Sequence, residues 1–316
     1  MTQLDEISRR QRGVVTRSQA LRTGLSVAAV RHRLESGRWQ RLSGGTYATF
    51  TGEVPRSALR WAAVLRAGAG AVLSHGSAAE EVGLVEEPKC RIHITIPEAR
   101  RIRAPSGLVV HRSRQIRKRR HPTRRPPQTR VEETVLDLAL TATSDETAMA
   151  WIAAACGRRL TTPERVAKAL AGRLRVPRRR DVTALLDDAE TGCRSVLEWR
   201  YLRDVERAHD LPVGERQRRR SREGVLWYDD VHYVAFGVLV ELDGRAAHPT
   251  DQRWRDFRRD NAAVQGGEVV LRYGAADISE RGCAVAGQVA KVLRSRGWRG
   301  LAAPCSPGCD TADAIR

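Results

Sequence analysis

The sequence predicts an α+β multidomain chain, and three observations carry that prediction. Short capped helical stretches at the front run into a Gly-Gly hairpin. Strand-like segments and amphipathic helices follow in the middle. Near the end, a Val/Leu-rich hairpin is embedded between helical segments. The divisions expected are 1–52, a central mixed region 53–190 containing a basic linker 112–130, a C-terminal α/β domain 191–299, and a disordered tail 300–316 rich in Pro, Gly and small polar residues.

Length and charge bound the function. With 316 residues the chain can bury a sizeable core in two or three domains. Its net charge of +19 and pI near 10.9 are the footprint of a nucleic-acid partner. Composition offers a second source for that charge. Lys89, Lys118, Lys168 and Lys291 are the only lysines among 56 basic residues, and an Arg- and Ala-heavy chain also reflects a GC-rich genome. The six cysteines, Cys90, Cys156, Cys193, Cys283, Cys305 and Cys309, form no Cys-x-x-Cys pair. Cys305 and Cys309 are close, but no histidine follows His248, so no zinc motif is read there. Reduced thiols, a charged N-terminus unlike a signal peptide, and apolar runs as short as Ala148 to Cys156 predict a cytoplasmic protein.

In chain order, Ile7, Arg10 and Gln11 lie on a first helix that Gly13 ends. Thr16 or Ser18 can cap a second helix that stops at Gly24, and Ser26 caps a third. In the third, Val27, Val30 and Leu34 recur at i, i+3, i+7, which turns Arg31, His32 and Arg33 outward. Gly37 stops it, and two strands around Gly44-Gly45 complete the layout of a winged helix-turn-helix. Gly13-Val14-Val15-Thr16, Ala20, Gly24-Leu25-Ser26, Arg38-Trp39 and Gly44-Gly45-Thr46-Tyr47 resemble the N-terminal domain of AbiE-type antitoxins, winged-helix repressors of bacterial abortive-infection systems. That resemblance implies that Arg31, His32 and Arg33 contact the groove or phosphates, and that Arg38 and Arg41 are wing contacts.

The middle begins with an Ala-rich helix from Ser57 to Ala67 and strand-like segments at 71–74, 91–97 and 108–113. It resembles the central region that commonly follows this winged helix in actinobacterial proteins, which implies no chemistry. Ser74, His75, Ser77 and His111 invite a hydrolase reading, but no Gly-x-Ser-x-Gly elbow is present and no acid is placed to orient a histidine. Residues 112–130 are the densest basic run, suited to a phosphate backbone or to solvent. Helices are expected at 131–141, 145–156, 162–172 and 181–190.

Beyond Gly192 the order becomes helix, three strands, helix, strand and helix, which is the core of a restriction-endonuclease-like (PD-(D/E)XK) fold. Glu241 and Asp243, two apart on a strand, face the same way. A two-residue turn at Ala235-Phe236 sets Asp230 opposite Glu241, and a turn at Phe236-Gly237 sets it opposite Asp243. A three-residue turn substitutes Asp229. Carboxylates converging at a strand end repel, and a hard divalent cation such as Mg²⁺, with Mn²⁺ as a substitute, relieves them.

Ser195-x-x-Glu198, Asp230, Glu241-Leu242-Asp243-Gly244, His248, Arg255-Asp256-x-x-Arg259-Asp260-Asn261 and Val270-Leu271-Arg272-Tyr273 are similar to the Vsr-like endonucleases, relatives of the very-short-patch repair nucleases, over residues 192–298. The resemblance favours Asp230 over Asp229. It implies that Asp230 and Glu241 bind Mg²⁺, that Asp243 assists, and that His248 lies near the scissile phosphate. One position departs from the pattern, since Asp243 stands where these enzymes usually carry lysine. Glu198, Arg255, Asp256, Arg259 and Asp260 are supporting residues. Either arginine could clamp a phosphate, whereas the spacing of Asp256, Arg259 and Asp260 also suits a salt-bridged helix face. Two functions follow: a metal-dependent DNA endonuclease positioned by the winged helix, or a non-catalytic DNA-binding regulator of antitoxin type with a degenerate nuclease domain. Activity on RNA is a third reading.

Overall fold

The computed structural model describes residues 2–85, 91–222, 225–243, 266–309 and 311. The chain forms two compact units, Met1–Ala142 with Arg158–Arg178, and Thr143–Gly157 with Arg179–Arg316. Among the described residues no helix is long and apolar enough to cross a membrane.

The first unit opens with α1 (Gln3–Arg10), where Thr2 and Asp5 cap each other's backbone, then β1 (Val14–Thr16) and α2 (Arg17–Arg22), capped reciprocally by Thr16 and Gln19. Ser26 caps α3 (Val27–Glu35), and β2 (Gln40–Ser43) and β3 (Thr46–Ala48) form the hairpin. The turn between them is built by Gly44 and Gly45 at φ 36° and 80°, a region open to glycine at little cost. β3 pairs with both β1 and β2, so the sheet order is β1-β3-β2. Val15, Ala20, Val30, Trp39 and Tyr47 make the core beneath, joined by Leu4, Ile7, Leu25 and Leu34. Val27, expected on the inner stripe, is instead 46% exposed. It sits in the first turn of α3, and Leu25, just before the helix, joins the core while Val27 faces out.

Behind this unit's front, α4 (Arg56–Ala67) supplies Ala63, Val64 and Ala67 to a second core with Leu73, Ile94 and Ile96. The sheet there has order β4-β5-β6, from β4 (Val72–Leu73), β5 (Ile92–Pro97) and β6 (Leu108–Ser113). α5 (His75–Glu81) carries Glu80 and Glu81, which pair with Arg56 and Arg60 of α4. The basic run 112–130, read from charge as a linker, contains the end of β6, α6 (Ile116–Arg119) and backbone bridges Arg120↔Thr129 and Leu73↔Gln128. α7 (Val131–Thr141) sets the half-buried Glu133 and the buried Asp137 against Arg173, whose Nε lies 2.9 Å from Glu133 and whose Nη1 lies 2.8 Å from Asp137. Arg173, in the basic stretch 173–180, is therefore internal.

The second unit is a four-stranded sheet of order β10-β9-β8-β7, from β7 (Glu215–Arg222), β8 (Val225–Tyr233), β9 (Val238–Asp243) and β10 (Val269–Gly274). β7, β8 and β9 are antiparallel, and β10 runs parallel to β9. One face packs Val231, Tyr233, Val238 and Val240 against Tyr201, Ile278, Val289 and Leu293 from the flanking helices. The helix Val196–Arg200 continues as a π-helical stretch, Tyr201–Glu206, and a 3₁₀ turn, Arg207–His209. Glu206 and Arg216, each about 1% exposed, form an ion pair inside this core. Glu206 also accepts from the Tyr233 hydroxyl at 2.8 Å and the Gly214 N–H at 3.2 Å. Gly214 leaves that space, since a Cβ there would stand 2.4 Å from Val231 Cγ1. Residues 300–309, read from composition as a disordered tail, lie against this unit: Ala302 packs on the core and the Ala303 N–H donates to the His209 carbonyl at 2.9 Å.

Candidate functional site

At the front, α3 presents Arg31 and His32 to solvent, and Arg38 and Arg41 are exposed before and on β2. Arg33 differs. Its guanidinium lies 5.7 Å from the centre of the Trp39 ring and donates to the Ala29 carbonyl, so it braces α3 against the hairpin. Arg41 lies over the Tyr47 ring at 5.8 Å, which holds a cation on the wing while leaving it accessible. A basic helix face and a basic hairpin therefore belong to one small, tightly capped body.

In the second unit the β8–β9 hairpin closes through Val234–Phe236 and Gly237, the latter in the left-handed region at φ 60°. Its pairs are Tyr233↔Val238, His232↔Leu239 and Val231↔Val240. The next position sets Asp230 opposite Glu241, the register expected of a two-residue turn. The Asp230 Oδ2 accepts the Leu242 N–H at 2.8 Å, which ties the two strands at that level. Asp229 is buried elsewhere, 3.7 Å from His232 Nδ1 and opposite Arg218. His232 in turn lies 3.3 Å from Glu268.

Glu198 reaches the same side as Asp230. Ser195 caps its helix, and the Glu198 carboxylate accepts from the Arg194 N–H at 3.0 Å and from Gln217 Nε2 at 3.3 Å. Burial pushes its pKa up, opposed by the Arg194 N–H and reinforced by the charge of Asp230. Gln217, opposite Asp230 along the β7–β8 ladder and held at φ 53°, is a member of this group that the sequence did not single out. It lies in an arginine-rich strand with no local signal. Glu241 is buried, while Asp243 is partly exposed with Arg272 Nη1 3.6 Å away. The structure thus brings Glu198 near Asp230, and the hairpin register carries Glu241 to the level of Asp230, with Asp243 partly exposed two residues on. His248, Arg255, Asp256, Arg259 and Asp260 lie outside the described residues. The carboxylates of Glu198, Asp230, Glu241 and Asp243 are oxygen donors, a donor type that suits a hard divalent cation. Yet among the described residues these carboxylates are not a set of three whose ligand atoms all lie within 4.8 Å of one another.

The first unit brings His75, His93 and His111 together. His93 and His111 share a face of the β5–β6 pair, and His75, at φ 48°, stacks on His111 with ring centres 3.8 Å apart and planes 16° apart. Burial, and then the other two imidazoles, hold the His75 pKa down at about 3. Burial and His93 hold His111 at about 4. One ring nitrogen from each of the three lies within 4.8 Å of the others, and His93 Nδ1 is 3.1 Å from His111 Nε2. Asp137 Oδ2 does lie 3.9 Å from His75 Nδ1, an acid the sequence did not place there. Ser74 is fully buried, so the trio offers no accessible nucleophile.

Residues 3–49 match the family model described as "Transcriptional regulator, AbiEi antitoxin". Comparison with curated proteins finds no match for the chain.

Proposed function

We propose that this chain is a DNA-binding transcriptional regulator of antitoxin type, which docks on duplex DNA through its N-terminal winged helix. The observation that carries this is the match of residues 3–49 to a regulator family, coupled with the outward placement of Arg31, His32, Arg38 and Arg41. In this reading α3 enters the major groove and the β2–β3 hairpin lies along the backbone, so Arg31 and His32 approach bases and phosphates while Arg38 and Arg41 neutralise phosphates. The test is fluorescence anisotropy with duplex DNA across a salt series. Arg31→Ala and Arg38→Ala should each weaken binding and lower the slope of log K against log salt by about 0.9. Unchanged affinity and slope in the Arg31→Ala, Arg38→Ala double variant would sink this reading.

One observation favours a second activity on the same chain: the register that pairs Val231 with Val240 carries Asp230 to the level of Glu241, and the charge of Asp230 acts on Glu198. We infer a metal-dependent endonuclease domain in which Asp230 and Glu241 hold Mg²⁺ or Mn²⁺. The bound ion would activate water and offset the charge that builds on the phosphoryl oxygens. The chain's own residues then have distinct tasks. Asp230, within β8, has its carboxylate fixed by the Leu242 N–H. Glu198, whose proton affinity is raised, holds a proton more readily than an exposed glutamate and orients Gln217. Asp243, beside Arg272, occupies the position where a lysine would stabilise the phosphate, and that places the burden of charge neutralisation on the ion. Plasmid nicking with Mg²⁺ or Mn²⁺ decides it: wild type nicks DNA, Asp230→Ala and Glu241→Ala fall by a factor of about a hundred or more, and RNA is cut no faster. A preparation that binds DNA but neither nicks it nor binds Mg²⁺ by calorimetry leaves only the regulator.

A further inference from the structure

Four potential ligands from three distant parts of the second unit converge at the base of its tail: His209 at the end of the 3₁₀ turn, Cys283 at the start of the helix Gly282–Ser295, and Cys305 and Cys309 beyond it. Their ligand atoms all lie within 4.8 Å of one another. Cys283 Sγ is 3.5 Å from Cys305 Sγ, and Cys309 Sγ is 3.5 Å from His209 Nε2. A disulfide would need about 2.05 Å. A tetrahedral zinc ion, roughly 2.3 Å from each thiolate and 2.0–2.1 Å from an imidazole nitrogen, sets sulfur–sulfur edges of roughly 3.8 Å and sulfur–nitrogen edges of roughly 3.6 Å. The observed separations are close to those edges.

We propose that His209, Cys283, Cys305 and Cys309 form a closed Cys3His zinc site that fastens residues 300–311 to the second unit. The donor set is three soft sulfurs and one imidazole, which selects zinc over the hard cations suited to the carboxylate face. With four protein ligands the site has no open position, so its role is structural. His209 is prepared for it. The ring is fully buried, and its Nδ1 is 3.1 Å from the Val205 carbonyl, which holds the proton on Nδ1 and leaves the Nε2 lone pair toward the sulfurs.

The surroundings are organised in the same sense. The Ala303 N–H donates to the His209 carbonyl, the Cys309 N–H donates to Ser306 at 3.1 Å, and the buried Thr311 hydroxyl donates to the Cys283 carbonyl at 3.1 Å. Thr311 Oγ1 also lies 3.0 Å from Cys309 Sγ. A bound zinc ion would keep all three cysteines as thiolates, with their protons released to solvent. Beside these hydrogen bonds, Ala302 is the residue of the described tail that packs on the core.

The test uses the full chain purified from zinc-containing medium without chelator. Elemental analysis should find one zinc per chain. The Co²⁺-substituted protein should show thiolate-to-metal charge transfer and tetrahedral d–d bands. Cys305 is exposed, so Cys305→Ser tests the site without disturbing the core; it and Cys309→Ser should release metal to a competing chelator roughly a hundredfold more readily. Cys156→Ser and the Asp230→Ala, Glu241→Ala double variant should retain it. Trypsin should spare Arg296 and Arg299 in the zinc form and cut there after chelation. Metal-free protein, a Cys283–Cys305 disulfide, or zinc held equally well by both Cys305→Ser and Cys309→Ser would each overturn the proposal.

Discussion

Glu206 and Arg216 show how one buried pair can set a local structure. Neither side chain reaches solvent, and Tyr233, Gly214 and Arg216 together satisfy the carboxylate. Burial favours the neutral acid and raises the Glu206 pKa, against the opposing charge and hydrogen bond of Arg216. Removing one partner leaves an uncompensated charge in an apolar core, which typically costs 3–5 kcal/mol, on the order of a small domain's whole margin. Arg216→Met should therefore lower the urea midpoint of the second unit by an amount equivalent to about 3–5 kcal/mol. Adding Glu206→Gln should recover part of the loss, because the stranded charge goes with it. Equal stability of wild type and Arg216→Met would show that the pair is not buried as described.

At the scale of elements, the histidine face of β5 and β6 carries a pH dependence whose sign follows from burial. The folded pKa values of His75 and His111, about 3 and about 4, lie below the ordinary 6.5, so between those values the unfolded chain binds more protons. Stability is therefore complete above pH 6.5 and is lost as pH falls, with a slope of at most about 1.4 kcal/mol per pH unit for His75. Urea melts followed by tryptophan fluorescence at pH 7 and pH 5 should show this loss, and His75→Asn, which suits the left-handed backbone there, should reduce it. A loss unchanged in His75→Asn would assign the acid sensitivity to other groups. These elements differ in how readily the sequence disclosed them. Thr16, Ser26 and the Gly-Gly turn mark their own positions through backbone chemistry, so the front helices and hairpin were legible. β1 was not, because three residues are too few for an alternation. The β8–β9 register was left open because Val234, Ala235 and Phe236 carry no turn signature, and only Gly237 in its left-handed conformation closes the loop. Asp230 and Glu241 stand out in the sequence as acids on Val/Leu-rich strands, and the structure sets Asp230 within β8 rather than at its end. Gln217 was hidden in a run of arginines, and His209 was missed because its thiol partners lie far along the chain.

For the whole molecule, a net charge of +19 gives a long-range attraction for any polyanion, so binding alone identifies no site. What distinguishes a docked winged helix is a response to particular arginines at fixed total charge, which is why the salt slope of single variants is more informative than affinity. The inward arginines sharpen the distinction. Arg173 and Arg216 are both buried in ion pairs, and they contribute to the formal charge without contributing to the surface that DNA would meet.

The π-helical stretch Tyr201–Glu206 has a consequence of its own. A π turn is in effect an α-helix carrying one additional residue, and each residue of an α-helix advances the chain by about 100° around the axis. Glu198 precedes the stretch, Glu206 ends it, and His209 follows, and each addresses a different partner: the carboxylate face, the buried arginine and the thiols. The wide turn takes up that residue, so the three groups keep the phase that a regular helix one residue shorter would give them. Deleting a single position there should regularise the helix and leave Glu206 and His209 directed as before relative to Glu198.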